Sequence, residues 1–289
     1  MSKIAVGILG ATGVVGQRFV ERLAVHPWFE IKWVSASDRS EGKTYVEATR
    51  WHLASEIPES VARLRLSPPD PAGAPKVIFA ALDVGVAGEL EPRFARAGCA
   101  VISNSSALRM MPDVPLIVPE VNPDHIKLIE CQEWRRKGGG FAVTNPNCSA
   151  TGLVVALAPL QHRFGIESVV VVTMQAVSGA GYPGVASLDI LGNVIPYIAN
   201  EEGKMEEETR KILGQLNESK VDPGRFSLSA HCNRVAVQNG HTESVSVKLR
   251  TKADADEIAA AFNDFRGAPQ DLQLPSAPAH PLRYMPAAD

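Results

Sequence analysis

The chain has 289 residues, 45% of them hydrophobic and 21% charged, which is enough apolar material for the cores of two ordinary domains. With 29 Lys and Arg against 32 Asp and Glu, the formal charge of -3 gives no electrostatic reason to expect nucleic acid or an anionic membrane as a partner. The 4 cysteines contain no CxxC pair, which argues against a zinc knuckle or a compact disulfide framework and fits reduced thiols in the cytoplasm.

In chain order, residues 4–9 form an apolar run interrupted by Gly7, which predicts a first strand and not the core of a signal peptide. Residues 14–26 have helical spacing. Between them lies Gly10-Ala-Thr12-Gly13-Val14-Val-Gly16, in the strand-to-helix context of a dinucleotide fingerprint. Glycines there let the backbone turn sharply and approach a pyrophosphate, whose charge suits the free N–H groups of a helix start. The spacing is GxxGxxG and not GxGxxG, so by itself it also fits a structural turn; its position favours nucleotide binding, with Thr12 adding a hydroxyl.

A second strand over 31–36 runs into Ser37-Asp38-Arg39-Ser40. Arg39 flanked by the hydroxyls of Ser37 and Ser40 suits a ribose 2′-phosphate, whereas Asp38 alone would suit a free 2′-hydroxyl, so NADP(H) is the expected cofactor. Strands over 76–82 and 100–103, with a helix over 88–97 between them, continue the alternation. The first part, residues 1–147, therefore reads as an α/β domain with a Rossmann-like, doubly wound parallel sheet.

The turn residues Asn145-Pro146-Asn147 mark a boundary, after which residues 151–161 read as a helix. Strand-like segments at 168–174 and 244–249, a charged helical pattern over 201–216 and a helix over 254–264 predict an α+β domain for 148–289. Cys148 sits at the expected helix start, where free amides and the positive end of the dipole favour a thiolate. That setting marks a nucleophile; Cys99, in an apolar strand approach, reads as a core residue. Further on, Arg234 precedes a short apolar strand and His241 follows a glycine turn, so the two could reach one cleft, Arg234 on a carboxylate and His241 as a proton donor or acceptor.

SNSSALRM (103–110), NPNCSATG (145–152), QAVSGAGYPG (175–184) and the arginine and histidine of NRVAVQNGH (233–241), with GATGVVGQ (10–17) at the start, resemble the motifs of aspartate-semialdehyde dehydrogenases, in particular their archaeal and fungal branch. The similarity runs over essentially the whole chain. It implies a second domain that is both catalytic and dimerising, as in the glyceraldehyde-3-phosphate dehydrogenase-like architecture. Cys148 would be the nucleophile, His241 the acid/base group and Gln175 an orienting residue. Arg234 would clamp the substrate carboxylate and Glu202 its ammonium group, while Arg109, Lys204 and Asn147 would bind phosphate. Ser178 and Gly179 would lie near the cofactor.

The implied reaction is the NADPH-dependent reductive dephosphorylation of β-aspartyl phosphate through a cysteine thioester, a step of lysine, threonine and methionine biosynthesis. The implied partners are a small substrate, inorganic phosphate and further copies of the chain, as a homodimer or homotetramer. The same architecture would serve a malonyl-CoA reductase or an N-acetylglutamyl-phosphate reductase, and a catalytically silent nucleotide-binding subunit is the non-enzymatic alternative. Members of this branch usually continue for several tens of residues beyond the point where this sequence stops, so a C-terminal return to the nucleotide domain is expected to be missing.

Overall fold

The computed structural model describes residues 2–37 and 41–286. The chain divides into two compact units, the first comprising 1–115 and 126–145 and the second 116–125 and 146–289.

The first unit is built on six strands: β1 (Ile4–Leu9), β2 (Phe29–Ser35), β3 (Leu66–Ser67), β4 (Val77–Ala80), β5 (Ala100–Ser103) and β6 (Phe141–Thr144). All their pairings are parallel, in the order β3-β2-β1-β4-β5-β6. This is the doubly wound nucleotide-binding order, in which the direction of winding reverses between β1 and β4 and leaves a crevice beyond the carboxyl ends of those strands. Val6, Ile8 and Leu9 are fully buried, as expected of a central parallel strand covered on both faces. Helix α1 (Val14–Ala24) turns Gly16, Gln17, Val20 and Leu23 inward, the spacing of one helical face. Helix α2 (Val84–Arg96) returns from β4 towards β5.

The glycine loop occupies the crevice position. Gly10 has φ +75, and a Cβ there would stand 2.4 Å from the Ala81 carbonyl oxygen; a Cβ on Gly16 would stand 2.1 Å from the Gly10 oxygen. Two buried side chains hold the loop from below. Gln17 Nε2 donates to the Thr12 and Arg50 carbonyls (2.9 and 3.0 Å) while its Oε1 accepts from the His52 amide at 2.8 Å, and the Tyr45 hydroxyl donates to the Ala11 carbonyl at 2.8 Å. Neither Gln17 nor Tyr45 stands out in the sequence, because nothing local signals that a side chain will satisfy the backbone of a distant turn.

In the second unit, α3 (Cys148–Phe164) packs on a three-stranded sheet in which β7 (Ile166–Gln175) is central, β8 (Ser227–Arg234) parallel to it and β9 (Thr242–Leu249) antiparallel. Ile166, Val169, Val171, Thr173 and Gln175 face inward along β7, the two-residue period of a strand covered on one face. Leu153, Leu157 and Leu160 of α3 meet that face, joined by Leu116 and Val118, which is why residues 116–125 belong with this unit. Helices α4 (Glu201–Ile212) and α5 (Ala255–Asp264) complete the layer, the latter opened by an Asp254–Glu257 capping box. The helix expected over 201–216 ends at Ile212, and residues 215–216 form a short strand instead. Arg234 closes a strand and does not precede one: β8 is the regular element, and its alternating Ser, Ala, His and Cys give little apolar signal.

No helix among the described residues is long and apolar enough to cross a membrane. Gly16→Val is expected to destabilise the first unit by about 1–3 kcal/mol or more through overpacking against the Gly10 carbonyl, measured by chemical denaturation; an unchanged midpoint would mean that the loop has room the geometry denies.

Candidate active site

Asn147 caps α3, its Oδ1 accepting from the Ala150 amide at 2.6 Å, while its own amide donates to Glu208 Oε2 at 2.7 Å. The cap makes Cys148 the first residue of the helix. Its Sγ lies 3.0 Å from His241 Nε2. The other ring nitrogen, Nδ1, accepts from the Ala176 amide at 3.0 Å. That bond fixes the tautomer: with Nδ1 occupied as an acceptor, the neutral ring carries its proton on Nε2 and presents it to Sγ.

Ala176 also fixes the arginine. Nη1 of the buried Arg234 donates to the Ala176 carbonyl at 2.8 Å. Arg234 and Gln175 are register partners at the ends of β8 and β7, so parallel pairing alone brings these two side chains to one end of the sheet. Gln175 Nε2 reaches Thr173 Oγ1 at 3.3 Å and Glu201 Oε1 at 3.4 Å. Gly179 closes the other side; a Cβ on it would stand 2.8 Å from Arg234 Nη1 and 3.3 Å from His241 Cε1.

The electrostatics depart from the sequence expectation. Although the Cys148 side chain is exposed, desolvation by its surroundings pushes the thiol up from its ordinary value and the Glu201 carboxylate adds to this; the amides of Ser149 and Cys148 and the Arg234 guanidinium pull in the other direction and are outweighed. The helix start acts with the expected sign, but the resting group is held towards the thiol. Burial, followed by Arg234, lowers the His241 pKa, with Glu201 opposing. An imidazolium would also have to place an Nδ1–H against the Ala176 N–H, so the ring is neutral near pH 7.

The charged pattern of α4 resolves into distinct tasks. Glu202 Oε1 accepts from the Cys232 amide at 3.2 Å and Glu206 Oε1 from the Ala230 amide at 3.3 Å, so two carboxylates one helical turn apart cover the donors of edge strand β8. The carboxylate that reaches Gln175 and acts on Cys148 and His241 is Glu201, which the sequence reading passed over for its neighbour. Lys204 Nζ lies 3.8 Å from Glu201 Oε2. Ser178 and Gly179 are exposed on the turn after β7.

The cysteine and histidine open onto a cavity of about 570 Å³ whose further walls are largely apolar, from Leu153 and Leu157 of α3, Val245 of β9 and Phe262 of α5. Glu243 is the one carboxyl group lining it, pushed up to about 7 by burial.

In the first unit, Arg109 is buried with Nη2 donating to the Asn104 carbonyl at 2.7 Å. Gly13 forms the N-cap of α1, with no side chain capping it and no acidic residue in the first turn. Gly10 and Gly16 shape the turn, and Thr12 and Val14 flank Gly13. A Cβ on Gly13 would find its nearest neighbour 3.5 Å away, at the Gly10 oxygen. An uncapped helix start behind a glycine turn fits a pyrophosphate. Ser37 is exposed at the end of β2, while Arg39 and Ser40, with Asp38, lie outside the described residues.

The first unit has the strand order of nucleotide-binding sheets, and the second holds a cysteine beside a histidine. Comparison with known proteins supplies the class. Residues 5–129 match the family model for the semialdehyde dehydrogenase NAD binding domain, and residues 157–285 that for the semialdehyde dehydrogenase dimerisation domain. Aspartate-semialdehyde dehydrogenase of Methanothermobacter thermautotrophicus is 50% identical over 281 residues, 96% of this chain and 81% of that protein. The Cryptococcus neoformans enzyme of the same name is 45% identical over 300 residues, 99% of this chain and 82% of that one. The solved structure of aspartate semialdehyde dehydrogenase with NADP from Candida albicans superposes with a TM-score of 0.88 at 39% identity, covering 96% of this chain and 80% of that one. A structure of aspartate semialdehyde dehydrogenase II complexed with ASA from Vibrio cholerae gives 0.73 at 29% identity, over 92% and 80% of the two chains. The chain belongs to the aspartate-semialdehyde dehydrogenase family and is an oxidoreductase with an NAD-binding domain.

The thiol's environment sets a test independent of substrate. Alkylation of Cys148 by iodoacetamide is expected to keep accelerating beyond the ordinary thiol pKa of about 8.5. Glu201→Gln should move that profile to lower pH and Arg234→Gln to higher pH. A Glu201→Gln protein alkylated no faster than the parent at neutral pH would remove the carboxylate from the site's electrostatics.

Proposed function

We propose that the chain catalyses the NADPH-dependent reductive dephosphorylation of β-aspartyl phosphate to aspartate semialdehyde. The observation that carries this reading is the convergence, at one end of the second unit's sheet, of a thiol, an imidazole N–H, a buried guanidinium and a carboxylate. A thiol and an N–H donor are what acyl transfer needs. A guanidinium and a carboxylate flanking them match the α-carboxylate and α-ammonium of an aspartyl group. The guanidinium would also suit the carboxylate of a malonyl-CoA or an N-acetylated substrate, but the site's carboxylate would be left without a substrate partner, since neither has an ammonium to place.

Arg234 binds the carboxylate, with the Ala176 carbonyl holding its planar fork in place for two parallel hydrogen bonds. Glu201 takes the ammonium group. Its arrival neutralises the carboxylate that holds the Cys148 thiol up, so substrate binding itself favours the thiolate. Sγ then attacks the acyl carbon; the C–S bond forms, the C–O bond to phosphate breaks, and phosphate leaves with the electron pair and with the proton that the thiol gives up. Asn147, Lys204 and Arg109 are the groups we assign to phosphate, and the Nδ2 of Asn147, buried and without a hydrogen-bond partner among the described residues, is a donor in reserve.

NADPH, held by the Gly10–Gly16 turn and the start of α1 with Ser37, Arg39 and Ser40 at its 2′-phosphate, would supply the hydride that reduces the thioester. Ser178 and Gly179 are assigned to the nicotinamide side of that cofactor. His241 Nε2–H supports negative charge on the substrate oxygen and holds a proton there while the C–S bond breaks and the thiolate is released. Gln175, tied to Glu201 and Thr173, orients the reacting group. The product's place is in the synthesis of lysine, threonine and methionine, in the cytoplasm.

The test is phosphate-dependent reduction of NADP with aspartate semialdehyde. Cys148→Ala should abolish turnover while cofactor binding persists, and His241→Gln should cost about 10²–10⁴ in kcat. Turnover by the alanine variant within tenfold of the parent would overturn the thioester route. Reduction of malonyl-CoA in place of oxidation of aspartate semialdehyde would overturn the substrate.

A further inference from the structure

Of the serine-rich stretch 103–110, the proposed chemistry uses Arg109 and none of the serines. The serines form a ladder of hydrogen bonds that starts at a buried carboxyl group. Ser103, at the end of β5, donates from Oγ to Oε1 of Glu91, on α2, at 2.7 Å. The same hydroxyl accepts from the Ser105 amide at 3.0 Å, and the Ser105 hydroxyl accepts from the Ala107 amide at 3.4 Å. The Arg109 amide donates to the Ser106 carbonyl at 3.3 Å. Asn104, whose carbonyl holds the guanidinium, accepts at Oδ1 from Asn145 Nδ2 at 2.8 Å. Glu91 is thus the root of the loop that carries Arg109.

Glu91 is fully buried, and its second oxygen, Oε2, has no hydrogen-bond partner among the described residues. A charge so placed needs another to compensate it. Burial pushes Glu91 up to about 7, against the Ser103 hydrogen bond and the field of the Arg109 guanidinium. Strands β4, β5 and β6 carry no charged side chain. On the helical turn 133–138, which packs against α2, Glu133, Arg136 and Lys137 are exposed and Arg135 is paired with Glu130. Glu89, Arg93 and Arg96 of α2 itself face solvent. Arg109 is therefore the charge to which Glu91 answers among the described residues.

We propose that Glu91 is a positioning residue for Arg109, and that an anion bound by Arg109 and a proton bound by Glu91 favour one another. An anion at the guanidinium offsets the field that keeps Glu91 ionised, so the carboxylate takes up a proton more readily. By linkage, the protonated form holds the anion more tightly. Anion affinity then falls as pH rises through the titration of Glu91. Inorganic phosphate is the ligand concerned, and this rests on the assignment of Arg109 to it.

The probe is sulfate, whose charge does not change across neutral pH, titrated calorimetrically into the NADP-saturated protein so that the glycine turn is already filled. In the parent, affinity should fall about fivefold from about pH 6 to about pH 8. Binding near neutrality should take up protons, read from the dependence of the heat on the ionisation enthalpy of the buffer. Glu91→Gln, which keeps the acceptor of Ser103, should bind sulfate at every pH as tightly as the parent does at the low end, with that uptake lost. A variant that keeps the parent's proton uptake, whether its affinity is weakened or unchanged, overturns the coupling. If Glu91→Gln yields no folded protein by circular dichroism, Ser103→Ala removes the hydrogen bond that favours the carboxylate and should move the sulfate profile to higher pH; an unmoved profile overturns the coupling equally. Arg109→Gln should lose sulfate binding. If it binds sulfate as the parent does, the phosphate assignment fails and the coupling with it. If it loses sulfate while Glu91→Gln keeps the parent's proton uptake, the coupling alone fails.

Discussion

One residue's backbone organises the reactive centre. The Ala176 N–H fixes the tautomer of His241 and the Ala176 C=O fixes the guanidinium of Arg234, so the imidazole and the guanidinium cannot move independently. The strand end that supplies this residue is itself set by the parallel register of β7 and β8, which places Gln175 beside Arg234. A slip of one residue by β8 in that register would turn Arg234 to the opposite face of the sheet from Gln175. The core under β7, packed by Leu153, Leu157 and Leu160 of α3, specifies the register, and the same helix carries Cys148 at its first position. Packing and chemistry therefore share one constraint, since the residues that bury the sheet also aim the thiol.

The nucleotide unit follows a different principle. Its loop is shaped by what is missing: the side chains that Gly10 and Gly16 lack. Backbone that turns so tightly leaves polar groups to satisfy, and Gln17 and Tyr45 satisfy them from elements up to 34 residues away along the chain. The N–H groups at the start of α1 stay uncapped by any side chain, which is the condition for binding an anion there.

Much of this was legible in the sequence, for identifiable reasons. Strand-glycine-helix order, apolar runs flanked by turns and a cysteine after Asn-Pro-Asn are local patterns, and the elements they predicted exist. β8 is not apparent because its inward face is carried by Ala230 and Cys232 among polar residues, and the end of α4 at Ile212 is not apparent because Leu213 and Leu216 continue an apolar helical spacing past it. In the site, the sequence could nominate Glu202 but not choose between it and Glu201. Adjacent helical positions point about 100° apart, and which one meets Gln175 depends on how the helix is rotated against the sheet, which the sequence does not display. The sign of the thiol's shift was misjudged for a related reason: a helix start is visible in the sequence, but the desolvation and the facing carboxylate that outweigh it are not.

The raised thiol has a consequence for the protein's survival between turnovers. Peroxides and disulfides react with thiolates and hardly with thiols. A thiol that desolvation and Glu201 push up presents less of the form that oxidants attack. The carboxylate beside it therefore works against oxidation of Cys148 by the same means that it works against ionisation.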